Sequence, residues 1–125
     1  MITRIHSSAV YVSNQDAAIA FYVNTLGFKL VSDMPMGEGT RWVTVVPPGA
    51  ATELALLPIV WYDGQGDPHK STGITFAVEN IDGMDETLLG QGVKFKDPVS
   101  VMPWGDKATW FYDPDGNAFF IVETP

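Results

Sequence analysis

The sequence predicts an α+β fold in which two similar βαβββ modules form one domain. Three observations support this: a short internal repeat, a helix-like run after each copy of the repeat, and three strand-like stretches after each run. The chain has 125 residues, which suits one domain, whereas a separate half of about 60 residues would be only marginally stable. We therefore expect module one at residues 1–61, a linker at residues 62–72 and module two at residues 73–125.

The repeat marks a strand end and a helix start in each module. In both copies an alternating stretch, typical of a strand, leads to an asparagine that can cap a helix by accepting a hydrogen bond from a free N–H. The three identities have a constant offset of 66 and pair Val12 with Val78, Asn14 with Asn80 and Asp16 with Asp82.

One helix is predicted after each asparagine, at residues 16–26 and at residues 82 to about 89. Apolar side chains in each run recur at the spacing that places them along one helix face. Gly27 and Gly90 follow these runs, and a glycine there can adopt the left-handed conformation that closes a last helical turn.

Three strands are predicted after each helix, because strand-like stretches there are separated by turns rich in glycine, proline and aspartate. They comprise residues 28–33, 41–46 and 52–57 in module one, and residues 93–101, 108–112 and 118–123 in module two.

Composition narrows the classes of function. The 15 acidic and 7 basic residues give a net charge of -8, so binding to nucleic acid is not expected, while a cationic or neutral ligand is favoured. The absence of cysteine excludes disulfides, thiolate metal sites and a cysteine nucleophile. The first residues lack a signal-peptide pattern, and no stretch approaches the roughly 18 apolar residues of a membrane span. A soluble, cytoplasmic protein without a membrane partner is therefore expected.

Four short stretches resemble the vicinal oxygen chelate superfamily, which includes glyoxalase I, bleomycin-resistance proteins and extradiol dioxygenases. Residues 12–22 (VSNQDAAIAFY) and 26–28 (LGF) are similar to the first strand–helix signature of this family. Residues 103–105 (PWG) and 111–117 (FYDPDGN) are similar to its last hairpin. The resemblance implies a curved half-barrel sheet around a cleft, with the helices on the outer face, and two chains paired as a homodimer.

The resemblance also implies where a metal would lie. Metal-dependent members place four ligands, mostly histidine and glutamate, on the cleft side of the first and fourth strands of each module. Such shells need imidazoles and carboxylates, which this chain does not offer at the matching positions. We therefore expect neither a metal nor another cofactor. The matching positions are Ser7, Ala55, Gly73 and Phe120.

Strand alternation decides which side chains face the cleft. If Ser7 and Tyr11 face it, then Val10 and Val12 face the helices. His6, one residue from the family's ligand position, then lies outside the cleft. The apolar residues of the second module alternate in the same way, with Ile74, Phe76, Val78, Phe119 and Ile121 facing the helices.

The same alternation places Glu53 and Ala55 on the cleft side of the fourth strand. A partly buried glutamate can act as a general base or pair with a ligand cation, whereas the alternative is an exposed glutamate at the strand edge. His69 is expected in a solvated loop. A metal shell of different geometry stays open as an alternative, built from His6, Glu53, His69 and Glu123.

Aromatic side chains are abundant and are expected to border the cleft. Flat rings offer a large contact area to planar ligands and attract cations over their faces. The same rings could instead belong to the core or a dimer interface, and Arg41 could hold an anionic substrate. The rings expected at the cleft are Tyr11, Trp42, Trp61, Trp104, Trp110 and Phe120.

These features lead to three hypotheses. The favoured one is a metal-free glyoxalase/bleomycin-resistance family protein that binds a small planar or cationic molecule in an aromatic-lined cleft. The others are a lyase or isomerase with Glu53 as its catalytic base, and a metal-dependent glyoxalase or dioxygenase-type enzyme. The predicted ligand-binding residues are Ser7, Tyr11, Trp42, Ala55, Trp104, Trp110 and Phe120.

Overall fold

The computed structural model describes residues 1–69 and 71–124. Lys70, in the predicted linker, and Pro125, at the end of the predicted second module, lie outside the described residues. The chain divides into two compact units, Met1–Pro68 and His69–Pro125.

The first unit is a βαβββ module. Its sheet has the strand order β1-β4-β3-β2, with β1 parallel to β4 and the other neighbours antiparallel. Its elements are β1 (Ser7–Val12), α1 (Gln15–Ile19) continued by a π-helical segment (Ala20–Thr25), β2 (Lys29–Gly37), β3 (Thr40–Val46), β4 (Glu53–Pro58) and a 3₁₀ helix (Ile59–Trp61).

The second unit repeats this arrangement. Its sheet has the order β5-β9-β8-β6, and β7 also pairs with β8. Two mixed sheets with few helices confirm the predicted α+β class. The elements are β5 (Ser71–Val78), α2 (Ile81–Gly90), β6 (Lys94–Phe95), β7 (Ser100–Val101), β8 (Lys107–Tyr112) and β9 (Ala118–Glu123).

The first strand after α2 differs from the prediction, because residues 93–101 form two short strands rather than one. Pro98 lies between β6 and β7, and proline has no N–H to donate to the neighbouring strand. The interruption is still fastened to β8, since the Thr109 hydroxyl donates to the carbonyl oxygen of Asp97 at 2.8 Å.

The strand after α1 is longer than predicted, and β2 continues to Gly37. Met34 lies opposite Trp42 and Pro35 opposite Arg41 in the antiparallel ladder with β3. Because β2 is an edge strand of the first sheet, Pro35 is tolerated there without leaving a central hydrogen bond unmade.

Both predicted helix caps are confirmed. The side-chain oxygen of Asn14 accepts a hydrogen bond from the N–H of Ala17 at 2.9 Å, and that of Asn80 accepts one from Gly83 at 3.0 Å. Each bond satisfies a backbone donor that has no partner inside its helix.

The first helix changes its winding partway. It is α-helical for one turn only and then π-helical, so that the N–H of Leu26 donates to the carbonyl of Phe21, five residues back, at 3.0 Å. The fully buried Tyr22 lies in this segment, with its ring centroid 5.1 Å from Phe21 and 5.9 Å from Phe28.

One of the two predicted helix-closing glycines is confirmed. Gly27 has φ 78°, in the left-handed region. The prediction for Gly90 is wrong, because α2 includes this residue and Gly92 adopts the left-handed conformation instead, with φ 85°. There the N–H of Val93 donates to the carbonyl of Leu88 at 3.0 Å and closes the helix.

The alternation of buried and accessible side chains agrees with the predicted register on β1, whereas on β4 Ala55, predicted to face the cleft, is as buried as its neighbours. Val10 and Val12 on β1 are almost fully buried, as are Leu54 and Leu56 on the neighbouring β4. In the second unit Phe76, Phe111 and Phe119 form a ring stack with Phe76 and Phe119 centroids 4.9 Å apart and Phe111 and Phe119 centroids 5.4 Å apart.

A buried glutamine ties α1 to the first sheet. The side-chain amide of Gln15 donates to the backbone carbonyls of Arg41 at 2.6 Å and Leu56 at 2.9 Å. Its amide oxygen accepts the N–H of Arg41 at 3.1 Å. This one side chain therefore connects the helix to both β3 and β4.

None of the helices in residues 1–69 and 71–124 has the length and apolar character that crossing a bilayer requires.

Candidate ligand-binding site

The predicted site residues of the first unit share one face of its sheet. Ser7 lies opposite Glu53 in the β1–β4 ladder, and Thr44 lies opposite Ala55 in the β3–β4 ladder. Alternate residues of a strand point to the same side, so the rest of the set follows from the register. The face carries Ser7, Tyr11, Trp42, Glu53 and Ala55.

Glu53 is the one carboxylate of this set, and its side chain is 20% exposed. Its Oε2 lies 3.9 Å from Nε2 of His6, which immediately precedes β1. The sequence predicts His6 outside the cleft. In the structure its imidazole lies next to Glu53, the candidate base.

Tyr11 is held by a second aromatic ring of the first unit. Its ring meets that of Tyr62 edge-on, with centroids 5.0 Å apart. The Tyr62 hydroxyl donates to the carbonyl oxygen of Gln65 at 2.9 Å, so both rings have defined positions.

Three predicted residues meet on one face of the second sheet. Trp110 lies opposite Phe120 in the β8–β9 ladder, with ring centroids 5.0 Å apart. The Trp104 ring lies 6.4 Å from that of Phe120 and is accessible, with 63% of the residue exposed. We call Trp104, Trp110 and Phe120 the aromatic cluster.

A turn presents Trp104 to this face. The N–H of Met102 donates to the carbonyl of Asp106 at 2.7 Å, and that of Gly105 donates back to Met102 at 2.9 Å. Gly105 has φ 100°, a backbone conformation that would be strained in any residue with a side chain.

Beside the aromatic cluster lies a cavity of about 300 Å³, here called the Trp110 cavity, whose size is at the lower end for small-molecule sites. It combines a flat apolar wall with several hydrogen-bond donors. The side chains that line it are those of His69, Ser71, Lys96, Trp110, Tyr112 and Ala118.

His69 differs from the expected solvated loop residue. Its side chain is only 23% exposed and lines the Trp110 cavity. Nε2 lies 4.0 Å from Oδ1 of Asp115, which belongs to the turn between β8 and β9. The N–H of Asp115 in turn donates to the carboxylate of Asp113 at 3.0 Å.

Lys96 was not singled out by the sequence, yet its ammonium lies 6.0 Å from the centre of the Trp110 ring. Its backbone N–H donates to the carbonyl of Trp110 at 3.0 Å. Since Lys94 lies opposite Tyr112, the alternation of the edge strand places Lys96 beside Trp110. That alternation was the signal available in the sequence.

Arg41 is engaged by two aspartates of its own unit. Its guanidinium donates to Asp33 at 3.0 Å and to Asp16 at 2.8 Å. Hydrogen bonds, first to Asp33 and then to Asp16, raise the pKa of Arg41, and its hydrogen bond to Asp33 lowers the pKa of that carboxyl. Two carboxylates already balance this cation, which argues against a role in holding an anionic substrate.

The residues at the family's ligand positions do not suit a metal ion. They comprise one hydroxyl and no imidazole or carboxylate. Within residues 1–69 and 71–124, no three histidine, aspartate or glutamate side chains form a group that could hold a metal. Glu123 instead accepts the N–H of Ile81 at 3.1 Å.

Comparison with known families and relatives places this geometry in context. The model of the Glyoxalase/Bleomycin resistance protein/Dioxygenase superfamily matches residues 4–121. The uncharacterized protein YetH of Bacillus subtilis is 36% identical over 123 residues, which cover 98% of this chain and 100% of YetH.

Two solved structures are similar over nearly the whole chain. A member of the same superfamily from Sphaerobacter thermophilus is 49% identical, with a TM-score of 0.92 and 98% of each chain covered. TnmS3, described as an antibiotic binding protein from Streptomyces sp. CB03234, is 32% identical, with a TM-score of 0.84 over 99% of this chain and 98% of TnmS3.

Proposed function

Since the chain belongs to the Glyoxalase/Bleomycin resistance protein/Dioxygenase superfamily, we propose that it is a metal-free binding protein for a small planar molecule. The molecule lies against the aromatic cluster and enters the Trp110 cavity. The similarity to TnmS3, an antibiotic binding protein, supports binding rather than turnover. The net charge of -8 supports a cationic ligand, whereas the side chains of the Trp110 cavity do not.

The observation that carries this proposal is the position of Trp110. Its ring packs against Phe120 at 5.0 Å and also forms a wall of the cavity, so a planar ligand there gains ring contact without reordering the side chain. Offset or edge-on aromatic pairs contribute roughly 0.5–1.5 kcal/mol beyond the area that they bury. We propose Ser7, Tyr11, Trp42 and Ala55, which share one face of the first sheet, as further ligand contacts.

Titration with a planar fluorophore such as acridine, followed by tryptophan quenching, tests this proposal. Trp110→Leu is expected to weaken binding about tenfold, because it removes the ring wall and keeps an apolar side chain. Phe21→Leu, in the π-helical segment of the first unit, is the control and is expected to bind like the wild type. Equal affinity in Trp110→Leu would contradict the proposal.

A metal-free lyase or isomerase is the second candidate, and the pair of Glu53 and His6 is the observation that favours it. A half-buried carboxylate 3.9 Å from an imidazole can accept a proton and pass it on. Any turnover that survives Glu53→Gln in a folded variant would remove Glu53 from this role.

Elemental analysis of the purified protein addresses the metal-dependent alternative. We expect no stoichiometric metal and no change in thermal melting with chelator or with Ni²⁺, Zn²⁺ or Mn²⁺, because the family's ligand positions hold no imidazole or carboxylate. A stoichiometric metal together with a melt that responds to chelator would overturn the metal-free proposal.

We also propose that the protein is a homodimer that acts in the cytoplasm. The edge strand β2 exposes four apolar side chains, which a second copy could cover: Leu30, Val31, Met34 and Met36. Light scattering is expected to give twice the chain mass of 13.6 kDa. Met34→Lys is expected to lower the measured mass, whereas Leu89→Lys on α2 is expected to leave it unchanged. Cell fractionation tests the cytoplasmic location.

A further inference from the structure

We infer that the Trp110 cavity selects planar aromatic molecules that carry an acidic group, such as a carboxylate or an ionised phenol. This inference rests on the proposed function and adds the charge of the ligand to it. It is carried by the side chains that line the cavity and by the position of Lys96 over Trp110.

The charge of this cavity is opposite to that of the whole chain. The chain carries 15 acidic and 7 basic residues. Among the described residues that line the Trp110 cavity, the titratable side chains are His69, Lys96 and Tyr112, and none is a carboxylate. A ligand acid placed here meets an ammonium, an imidazole and hydroxyl groups rather than like charges.

Two other cavities among the described residues have carboxylates in their lining. In the first unit, a cavity of about 340 Å³ is lined by Asp16 and Glu38, and its cation Arg41 already binds Asp16 and Asp33. In the second unit, a cavity of about 550 Å³ shares Lys96 and Tyr112 with the Trp110 cavity, but it is also lined by the carboxylates of Asp85 and Asp97. Either would repel an acidic ligand more than the Trp110 cavity does.

The ammonium of Lys96 lies close to the position that the acidic group of a ligand would occupy when the ligand's ring is stacked on Trp110. The backbone N–H of Lys96 donates a hydrogen bond to the carbonyl oxygen of Trp110 at 3.0 Å, and the Nζ of this lysine lies 6.0 Å from the centre of the Trp110 ring. Lys107, on the neighbouring strand β8, differs because its ammonium already binds Asp82. A charge-assisted hydrogen bond from Lys96 to a ligand carboxylate is therefore available.

His69 contributes an imidazole ring to the lining of the cavity. Its side chain is only 23% exposed, and its buried Nε2 lies 4.0 Å from Oδ1 of Asp115. The hydroxyls of Ser71 and Tyr112 complete the polar lining. A planar cation, by contrast, would be repelled by the ammonium of Lys96. The cavity is therefore expected to bind a cationic ligand more weakly than an acidic one.

Three acridines of similar size test the inference with the full chain: acridine-9-carboxylate, acridine-9-carboxamide and 9-aminoacridine. We expect the carboxylate to bind roughly tenfold more tightly than the neutral amide, and the cationic amine to bind most weakly. Lys96→Met is expected to abolish the preference for the carboxylate over the amide. Lys94→Met is the matched control, because it removes the same charge from the adjacent edge strand β6 but Lys94 does not line the Trp110 cavity, and it should keep the preference.

The outcomes separate this inference from the proposed function. If the amide or the amine binds as tightly as the carboxylate, the inference is wrong and the proposed function stands. The proposed function fails as well if each acridine binds Trp110→Leu as tightly as it binds the wild type. It also fails if none of the three acridines binds the wild type. A preference for the carboxylate that persists in Lys96→Met, with its circular dichroism spectrum unchanged, would remove Lys96 from the recognition.

Discussion

Arg41 and Lys107 occupy equivalent positions in the two modules, and each binds the aspartate near the start of its own module's helix. Arg41 donates to Asp16 at 2.8 Å, and Lys107 donates to Asp82. The offset from Arg41 to Lys107 equals the offset of 66 from Asp16 to Asp82. The internal repeat therefore extends beyond the strand–helix signature to an ion pair that joins the third strand to the helix.

The Arg41 pairing predicts a pH-dependent contribution to stability. Arg41 lowers the pKa of Asp33 from its ordinary value of 3.8, so the folded state favours the ionised carboxylate. A carboxyl with a lowered pKa stabilises the fold above its unfolded pKa, and this contribution is lost as the pH falls through the folded value.

Arg41→Met is therefore expected to lower the melting temperature at neutral pH, with the difference from the wild type shrinking as the pH falls below the ordinary aspartate value of 3.8. Calorimetry across this range measures the effect. Arg4→Met, whose guanidinium donates to the backbone carbonyl of Ala51, is the control and should show no such convergence. A difference that stays constant into acid would contradict the pairing.

The two asparagine caps are expected to contribute similarly to stability. Asn14→Ala and Asn80→Ala each remove an acceptor for a helix N–H and should lower the free energy of unfolding by about 1 kcal/mol. Asn24→Ala, at an exposed position inside the π-helical segment, provides the comparison in the same denaturant titration. Caps that could be removed without loss would show that the helices are held by packing alone.

Two buried threonines are expected to respond oppositely to replacement by valine. The hydroxyl of Thr44 is fully buried and has no hydrogen-bond partner among the described residues, whereas that of Thr109 donates to Asp97 at 2.8 Å. Thr44→Val should raise the free energy of unfolding by about 1 kcal/mol, since it removes an unsatisfied donor. Thr109→Val should lower it by about 1 kcal/mol, because it removes a made bond. A destabilised Thr44→Val would mean that this hydroxyl has a partner in solution.

Gln15 is expected to be intolerant of a charge. Its amide donates to the carbonyls of Arg41 and Leu56, and a carboxylate in its place would face both oxygens without a proton to offer. Gln15→Glu should lower the free energy of unfolding by roughly 1–3 kcal/mol at neutral pH. The loss should shrink in acid, where the protonated carboxyl regains one donor, and chemical denaturation at the two pH values measures it. An equal loss for Gln15→Glu at both pH values would point to packing instead.

Local patterns in the sequence were sufficient for the elements and their faces. Alternation along β1 predicted the burial of Val10 and Val12, and the asparagine before each helix predicted the cap, because each signal involves residues within a few positions of one another. The prediction chose Gly90 rather than Gly92 as the glycine that closes the second helix, because the residues next to them do not show which of the two adopts a positive φ. Pro98 could have predicted the break between β6 and β7.

The candidate site was predicted less completely. Trp104, Trp110 and Phe120 were singled out as aromatic residues near an expected cleft, but the distances that make them one cluster follow from the pairing of β8 with β9. Whether these residues and Ser7, Tyr11, Trp42, Glu53 and Ala55 contact a ligand stays a prediction, which the binding and turnover experiments address.

The sequence alone predicted two βαβββ modules of the α+β class and the side chains on each strand face. These predictions came from the internal repeat, the composition and the alternation along the strands. Folding added the pairs that are distant in sequence: His69 with Asp115, Lys96 with Trp110, and Gln15 with the carbonyls of two strands. Such pairs depend on which strands become neighbours and in what register. That choice is made by the burial of the whole core, which no local pattern encodes.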